Sequence, residues 1–382
     1  MKILACVVPA ILLLTGCGQL ETKWTRKFDV LGPGYYRINS LSCTKSAVYL
    51  TGTFKDQKGG SRCFTARYDR DGSRKWYNIL EAPDIEQTEG NCIVVLSTRE
   101  ELLASRTDIY VLAQARDSQN HQSVILMKFD TLGTIEWQEI ITTHDGPLTS
   151  ALLSDYGGNL YVAGWERDEA NQPTMYVGKY DESGTTSWFT KYYNEQILYD
   201  DLKFDIMQPG YLVVAGLIKA TGELFYMRCD VDGQIQGPFK HATQGKPNRF
   251  CDVKVASEGK VYLAGTITNT DSGDDFLIIA YSEDNDLLWA EQYDGIAHKN
   301  DLAKALATDE SLSVYVSGIS ESIQGVPAIS TVKYDREGNI VWVATLEEKA
   351  PAEPIIMIPS YTQPDKKPEA RYFIIAGTSE ND

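Results

Sequence analysis

Histidine is scarce in this chain of 382 residues: four occur, His121, His144, His241 and His298, none in a His-x-x-His pair or beside a cysteine. No Cys-x-x-Cys occurs either. Together these absences remove the usual ligand spacing of a zinc site. Gly-x-Ser-x-Gly, Gly-x-x-x-x-Gly-Lys and Gly-x-Gly-x-x-Gly are missing as well. Neither a nucleophile elbow nor a phosphate-cradling loop can therefore be read. We expect no enzyme, no catalytic residue and no cofactor. Basic residues are also few, 36 against 53 acidic, for a formal charge of −17. So acidic a chain is badly matched to nucleic acid or to an anionic membrane surface.

No apolar run reaches the roughly 20 residues that span a bilayer as a helix. The longest N-terminal run, Ile3 to Leu14, follows the basic Lys2 and precedes small residues. That is the pattern of a signal peptide. Leu14-Thr15-Gly16-Cys17 then resembles the bacterial lipobox, Leu-x-Gly-Cys. The resemblance implies cleavage before Cys17 and lipid attachment at its thiol, with acylation of the new amino group. It gives a signal peptide over 1–16, an anchor and tether over 17–21, and a folded domain over 22–379. Two or three acyl chains anchor a protein durably where one does so only marginally. Gly18 stands where an Asp would signal inner-membrane retention in many Gram-negative bacteria. Its presence favours the outer membrane, with the body periplasmic or surface-exposed.

What the chain has in quantity is turn and strand residues: 30 Gly and 22 Tyr. They recur in register. An aromatic-Asp-x-x-Gly phrase with Trp four residues later occurs at Tyr68…Trp76, Phe129…Trp137, Tyr180…Trp188 and Tyr334…Trp342. Degenerate copies stand at Cys229-Asp230…Gly233 and Tyr281…Asn285…Trp289. A second phrase, built on Tyr-x-x-Gly, ends at Gly52, Ala113, Gly164, Gly216, Gly265, Gly318 and Gly377, at spacings of 61, 51, 52, 49, 53 and 59. Each period reads as four short strands, for example 149–154, 159–166, 174–181 and 186–193. Asp with Gly three residues on suits a type I or Asx turn whose Gly takes positive φ. The second strands are apolar on both faces, so they are covered on both sides. The Gly within them marks a close backbone approach or a bulge.

Four-stranded sheets repeated with both faces buried make a β-propeller. We expect an all-β propeller of seven blades, each of about four antiparallel strands. The last blade would be closed by an N-terminal strand around 22–29 joining two strands from 354–379. The units resemble the bacterial β-propeller repeat, through Gly158-Asn-Leu-Tyr-Val-Ala-Gly164, Lys179-Tyr-Asp-Glu-Ser-Gly184 and Lys333-Tyr-Asp-Arg-Glu-Gly338. The resemblance implies structure and no active site. The WD and kelch signatures are absent.

In such a meander the second-to-third loops and the crossovers leave from one end of each sheet. Those segments carry 9 basic and 22 acidic residues, most of the net charge. Loops on a rigid scaffold are where binding concentrates. We therefore expect a membrane-anchored, non-enzymatic binding or scaffold propeller, monomeric, with an acidic face for a protein or cationic partner. The alternatives are a surface glycan-binding adhesin or a propeller enzyme such as a lyase, glycosidase or quinone-dependent dehydrogenase. Asp271, Asp274 and Asp275 are the one metal candidate, because clustered carboxylates suit calcium. Beyond Cys6 and Cys17, five cysteines remain (43, 63, 92, 229 and 251), and the odd count leaves at least one unpaired. Buried free thiols are the reading preferred over disulfides.

Overall fold

The computed structural model describes residues 10–15, 19–25, 35–44, 46–55, 59–69, 71–81, 85–99, 105–144, 150–155, 157–168, 170–207, 211–218, 220–240, 246–309, 311–346, 352–360 and 372–379. The chain is all-β. Twenty-four strands build six four-stranded antiparallel sheets, each a simple meander in chain order. Sheet I is Tyr35–Cys43, Ala47–Lys55, Ser61–Asp69 and Arg74–Ile79. Sheet II is Ile85–Arg99, Ser105–Asp117, Gln122–Phe129 and Ile135–His144. Sheet III is Ser150–Ser154, Leu160–Arg167, Pro173–Tyr180 and Thr186–Tyr192. Sheets I to III fall in one compact unit, Trp24–Tyr193.

A second unit, Pro9–Lys23 with Asn194–Glu380, holds the other three. Sheet IV is Ile197–Met207, Tyr211–Ile218, Leu224–Cys229 and Ile235–Lys240. Sheet V is Lys246–Val255, Val261–Asn269, Gly273–Tyr281 and Leu287–Tyr293. Sheet VI is Asp301–Thr308, Val314–Glu321, Pro327–Tyr334 and Ile340–Leu346. The terminal strands differ from the expectation. Gln19–Thr25 pairs with Ala10–Thr15, which pairs with Tyr372–Ser379, which pairs with Ala352–Ser360. The neighbour of Tyr372–Ser379 is thus a segment read as signal peptide, through Leu12 opposite Ile375. Gln19–Thr25 begins inside the expected tether. A short apolar run satisfies a strand as well as a signal-peptide core, and periodicity does not separate the two.

The repeat phrases have a common structural use. In sheet III, Tyr161 of the second strand lies opposite Lys179 of the third, and Lys179 opposite Trp188 of the fourth. Residues directly opposite share a face of the sheet. Tyr49, Arg67 and Trp76 in sheet I, and Tyr315, Lys333 and Trp342 in sheet VI, repeat the row. The Tyr and Trp rings stand 6.0–6.3 Å apart in these three rows. The cation lies over the Tyr ring at 5.8 Å in sheet I, 5.5 Å in sheet III and 5.0 Å in sheet VI. The Lys of the Lys-Tyr-Asp phrase therefore has a structural role, a cation–π contact of about 0.5–1 kcal/mol at such sites.

The Gly of Tyr-x-x-Gly answers a bulge. Gly52 faces Ile38 just before the first strand shifts register, and a Cβ there would lie 2.0 Å from the Arg37 carbonyl oxygen. Gly318 repeats this against the Leu302 carbonyl at 2.1 Å. Where the second strand carries Ala113 instead, its opposite residue is Gly90, again at a register shift. The extra residue of a bulge brings two backbones together, and only a missing side chain leaves room.

Packing between sheets forms the cores. Ile109, Val111 and Met127 of sheet II pack with Tyr49 and Cys63 of sheet I. Tyr262, Phe276 and Ile278 of sheet V pack with Leu306, Val316 and Tyr334 of sheet VI. First strands add polar bridges. Asp205 accepts from the Val255 N–H at 2.6 Å, and Asn39 donates to the Gly90 carbonyl at 2.7 Å. Asp205 is half-buried, and its desolvation raises its pKa against the pull of Lys254. The five described cysteines are free thiols. Burial pushes Cys63 and Cys229 up to about 12, so both are inert.

Candidate functional site

Antiparallel order alone fixes which loops share an end. In each of the six sheets, the second-to-third loop and the crossover to the following strand emerge together, opposite the short first-to-second and third-to-fourth turns. At this end of sheets V and VI the structure gathers ionisable groups. Asp275 enters on the third strand of sheet V, Asp294 follows the fourth, and Asp301 opens the first strand of sheet VI. One carboxylate oxygen from each lies within 4.8 Å of the others.

Asp275 and Asp301 are each 1% exposed. Asp275 Oδ2 accepts from Asn269 Nδ2 at 2.6 Å and Ser272 Oγ at 2.5 Å. Its Oδ1 is buried without a hydrogen-bond partner. Asp301 Oδ2 accepts from the Gly295 N–H at 2.6 Å. Burial raises the pKa of Asp301, and the charges of Asp275 and Asp294 add to the rise. His298, four residues after Asp294, brings its Nδ1 to 2.6 Å from Asp294 Oδ2. That contact raises the His298 pKa, with a further pull from Asp275 and Asp301. The loop is folded tightly to do this: His298 has φ 51° and its N–H reaches the Gly295 carbonyl at 2.9 Å.

The metal candidate read from the sequence is thus divided. Asp275 joins the cluster. Asp274 turns to Asn248 Nδ2 and Thr268 Oγ1, at 2.8 and 2.7 Å, and Asp271 is exposed in the turn. Asp294 and Asp301 were legible only as acidic crossover residues, because their meeting with Asp275 requires the pairing of neighbouring sheets. His121 is likewise exposed and paired to an Asp four residues before it, Asp117, at 3.1 Å. Cys17, the expected lipid attachment point, lies outside the described residues, as does His241.

Beside the cluster, Lys299 and Glu321 join the crossover to the second-to-third loop of sheet VI at 2.7 Å. Each of these loops holds out an apolar residue, Ile296 at 76% exposure and Ile323 at 66%.

No protein-family model matches the chain, and no curated protein does. Solved structures do. It is similar to the WD40 domain of Toxoplasma gondii coronin at 13% identity, over 98% of this chain and 88% of that one, with a TM-score of 0.50. It is similar to the polysaccharide lyase Uly1 at 10% identity, over 98% of this chain and 99% of that one, with a TM-score of 0.50. At such identities these likenesses show a propeller type of fold, and fold alone does not carry function.

Proposed function

We propose that this chain is a lipid-anchored, non-enzymatic binding propeller of seven blades in a bacterial cell envelope. Its acidic loop end would receive a protein partner with basic groups around an apolar contact. The observation that supports this most directly is the pair Ile296 and Ile323. Both are exposed, on loops tied by Lys299 and Glu321, beside three carboxylates. Apolar tips within a charged rim have the anatomy of a docking surface. The lipobox at Leu14–Cys17 supports the anchor. Processing before Cys17 would remove Ala10–Thr15, and Gln19–Thr25 would then be the N-terminal segment free to pair with Tyr372–Ser379.

A photo-crosslinking residue placed at 296 or 323 in the native bacterium tests the docking end. Crosslinked adducts are expected there and not from positions 132 or 231, exposed on third-to-fourth turns. Equal or reversed labelling would overturn the reading. For the anchor, Cys17→Ser should abolish palmitate labelling and leave an unprocessed precursor. A variant still labelled and processed would refute it.

A further inference from the structure

We propose that Asp275, Asp294 and Asp301 bind a hard divalent cation of the calcium class. The proposal stands apart from the docking and anchoring readings above and needs neither.

Two observations carry it independently. The first is spacing. Calcium takes oxygen ligands at about 2.3–2.6 Å, so oxygens on opposite sides of one ion stand about 4.6–5.2 Å apart. The three carboxylate oxygens here lie within 4.8 Å of one another. A point no more than about 2.8 Å from all three therefore exists, a small side-chain adjustment from calcium's ligand distance. The second is the state of Asp275. Its Oδ2 is filled by Asn269 and Ser272, while Oδ1 is buried and unpartnered in a residue only 1% exposed. A buried carboxylate oxygen without a donor is costly unless a cation meets it.

The two cationic side chains of this loop bond to carboxylates other than Asp275 and Asp301. Lys299 is engaged with Glu321. His298 is exposed and bonded to Asp294, the outer member of the three. Two of the three carboxylates thus lie buried together. The donor set is all oxygen, which suits calcium and disfavours metals that prefer thiolate or imidazole. Further coordination sites would be filled by water or carbonyls, as is usual for this ion. Binding would take Asp294 from His298.

The test uses the full chain, stripped with chelator and titrated calorimetrically with calcium chloride. A dissociation constant of about 10⁻⁴–10⁻³ M, the range of extracellular calcium modules, is expected. The melting temperature should rise with calcium and return with chelator. Asp275→Asn and Asp301→Asn should lose both the heat and the shift, while melting in chelator no lower than the parent chain. Asp271→Asn and Asp274→Asn should keep the full response. Should Asp301→Asn fail to fold, Asp294→Asn, altered at an exposed side chain, should weaken binding at least tenfold. No heat from the parent chain, or full binding by Asp275→Asn, would overturn the proposal.

Discussion

Trp76 of sheet I donates its indole N–H to the Thr131 carbonyl in sheet II at 2.9 Å, and its ring lies against Gly133 two residues further on. A Cβ on Gly133 would stand 2.7 Å from the indole. Trp289 repeats this on Arg336 and Gly338, with the hydrogen bond at 3.1 Å and the Cβ position 2.9 Å from the ring. Trp and Gly of the repeat phrase are thus partners, but across sheets: the Trp of one sheet packs on the Gly of the next. Gly133 also has φ 88°.

Gly133→Ala should therefore cost twice, once for the left-handed backbone and once for the displaced indole. We expect a loss of about 2–4 kcal/mol. Gly158 provides the comparison, since it has φ 83° and open space where a Cβ would sit. Gly158→Ala should cost only about 1 kcal/mol. Urea melts of the two variants measure the difference. Equal losses would show that the ring contact contributes nothing.

The turn aspartates should make stability depend on acid. Asp181 Oδ1 accepts from the backbone N–H groups of Ser183 and Thr185, and Asp335 Oδ1 from those of Glu337 and Asn339. Their pKa values are lowered, first by side-chain hydrogen bonds from Ser183 and Asn339 respectively. A lowered folded pKa contributes stability that is present above the unfolded value of about 3.9. It is lost as pH falls through the folded value. Asp181→Asn and Asp335→Asn keep an acceptor at this position but cannot titrate. Thermal melts should show each variant losing less stability than the parent between neutral pH and pH ~3. An unchanged pH profile in both would refute the linkage.

The repeat, the four-strand period and the long-loop end were legible in the sequence because each is a local signal written several times. Strands expected at 159–166 and 186–193 form as Leu160–Arg167 and Thr186–Tyr192. Degenerate copies also kept their geometry. Asn285 takes the positive φ of the missing Gly, and Ser282 Oγ accepts the Asp286 N–H at 3.1 Å in place of the missing Asp. The site was legible only in part. Asp275 and Asp301 are 26 positions apart, and no local pattern joins a third strand to the first strand of the following sheet. The terminal sheet was less legible for a different reason: apolarity alone serves a signal peptide and a strand equally.

A buried ion pair in sheet II sets another expectation. Lys128 Nζ lies 3.2 Å from Asp108, both side chains being little exposed, and also reaches Glu136 at 3.3 Å. Lys128→Met would leave the Asp108 charge without this cation. The expected loss is about 3–5 kcal/mol. Replacing both partners by apolar residues, as in Lys128→Met with Asp108→Leu, should recover most of it, because the desolvation cost disappears with the charges. A double variant no more stable than the single one would show that the Lys stem, and not its charge, matters here.

Buried tyrosines of the second strands divide by what precedes them. Tyr161 donates to Asp155 Oδ2 at 3.0 Å and Tyr315 to Asp309 Oδ2 at 2.8 Å, each Asp six residues earlier at a tight turn. Tyr262 has Ala256 in that place, and its hydroxyl is buried without a partner. The closing hydrogen bond is shared, the Ala256 N–H meeting the Lys260 carbonyl at 2.9 Å as Asp155 meets Asn159 at 3.0 Å, while the turn between them differs, with positive φ at Glu258 and Gly259 in one and at Gly158 in the other. Tyr315→Phe should cost about 1–3 kcal/mol by stranding a buried carboxylate oxygen, whereas Tyr262→Phe should be neutral or stabilising. Ala256→Asp should supply the absent acceptor and raise stability by about 1 kcal/mol. That gain should vanish in a Tyr262→Phe background, since the hydroxyl is what the new carboxylate would satisfy. Chemical denaturation of the four members of this cycle reads the coupling directly. A gain that survives the loss of the hydroxyl would assign it to the turn backbone instead.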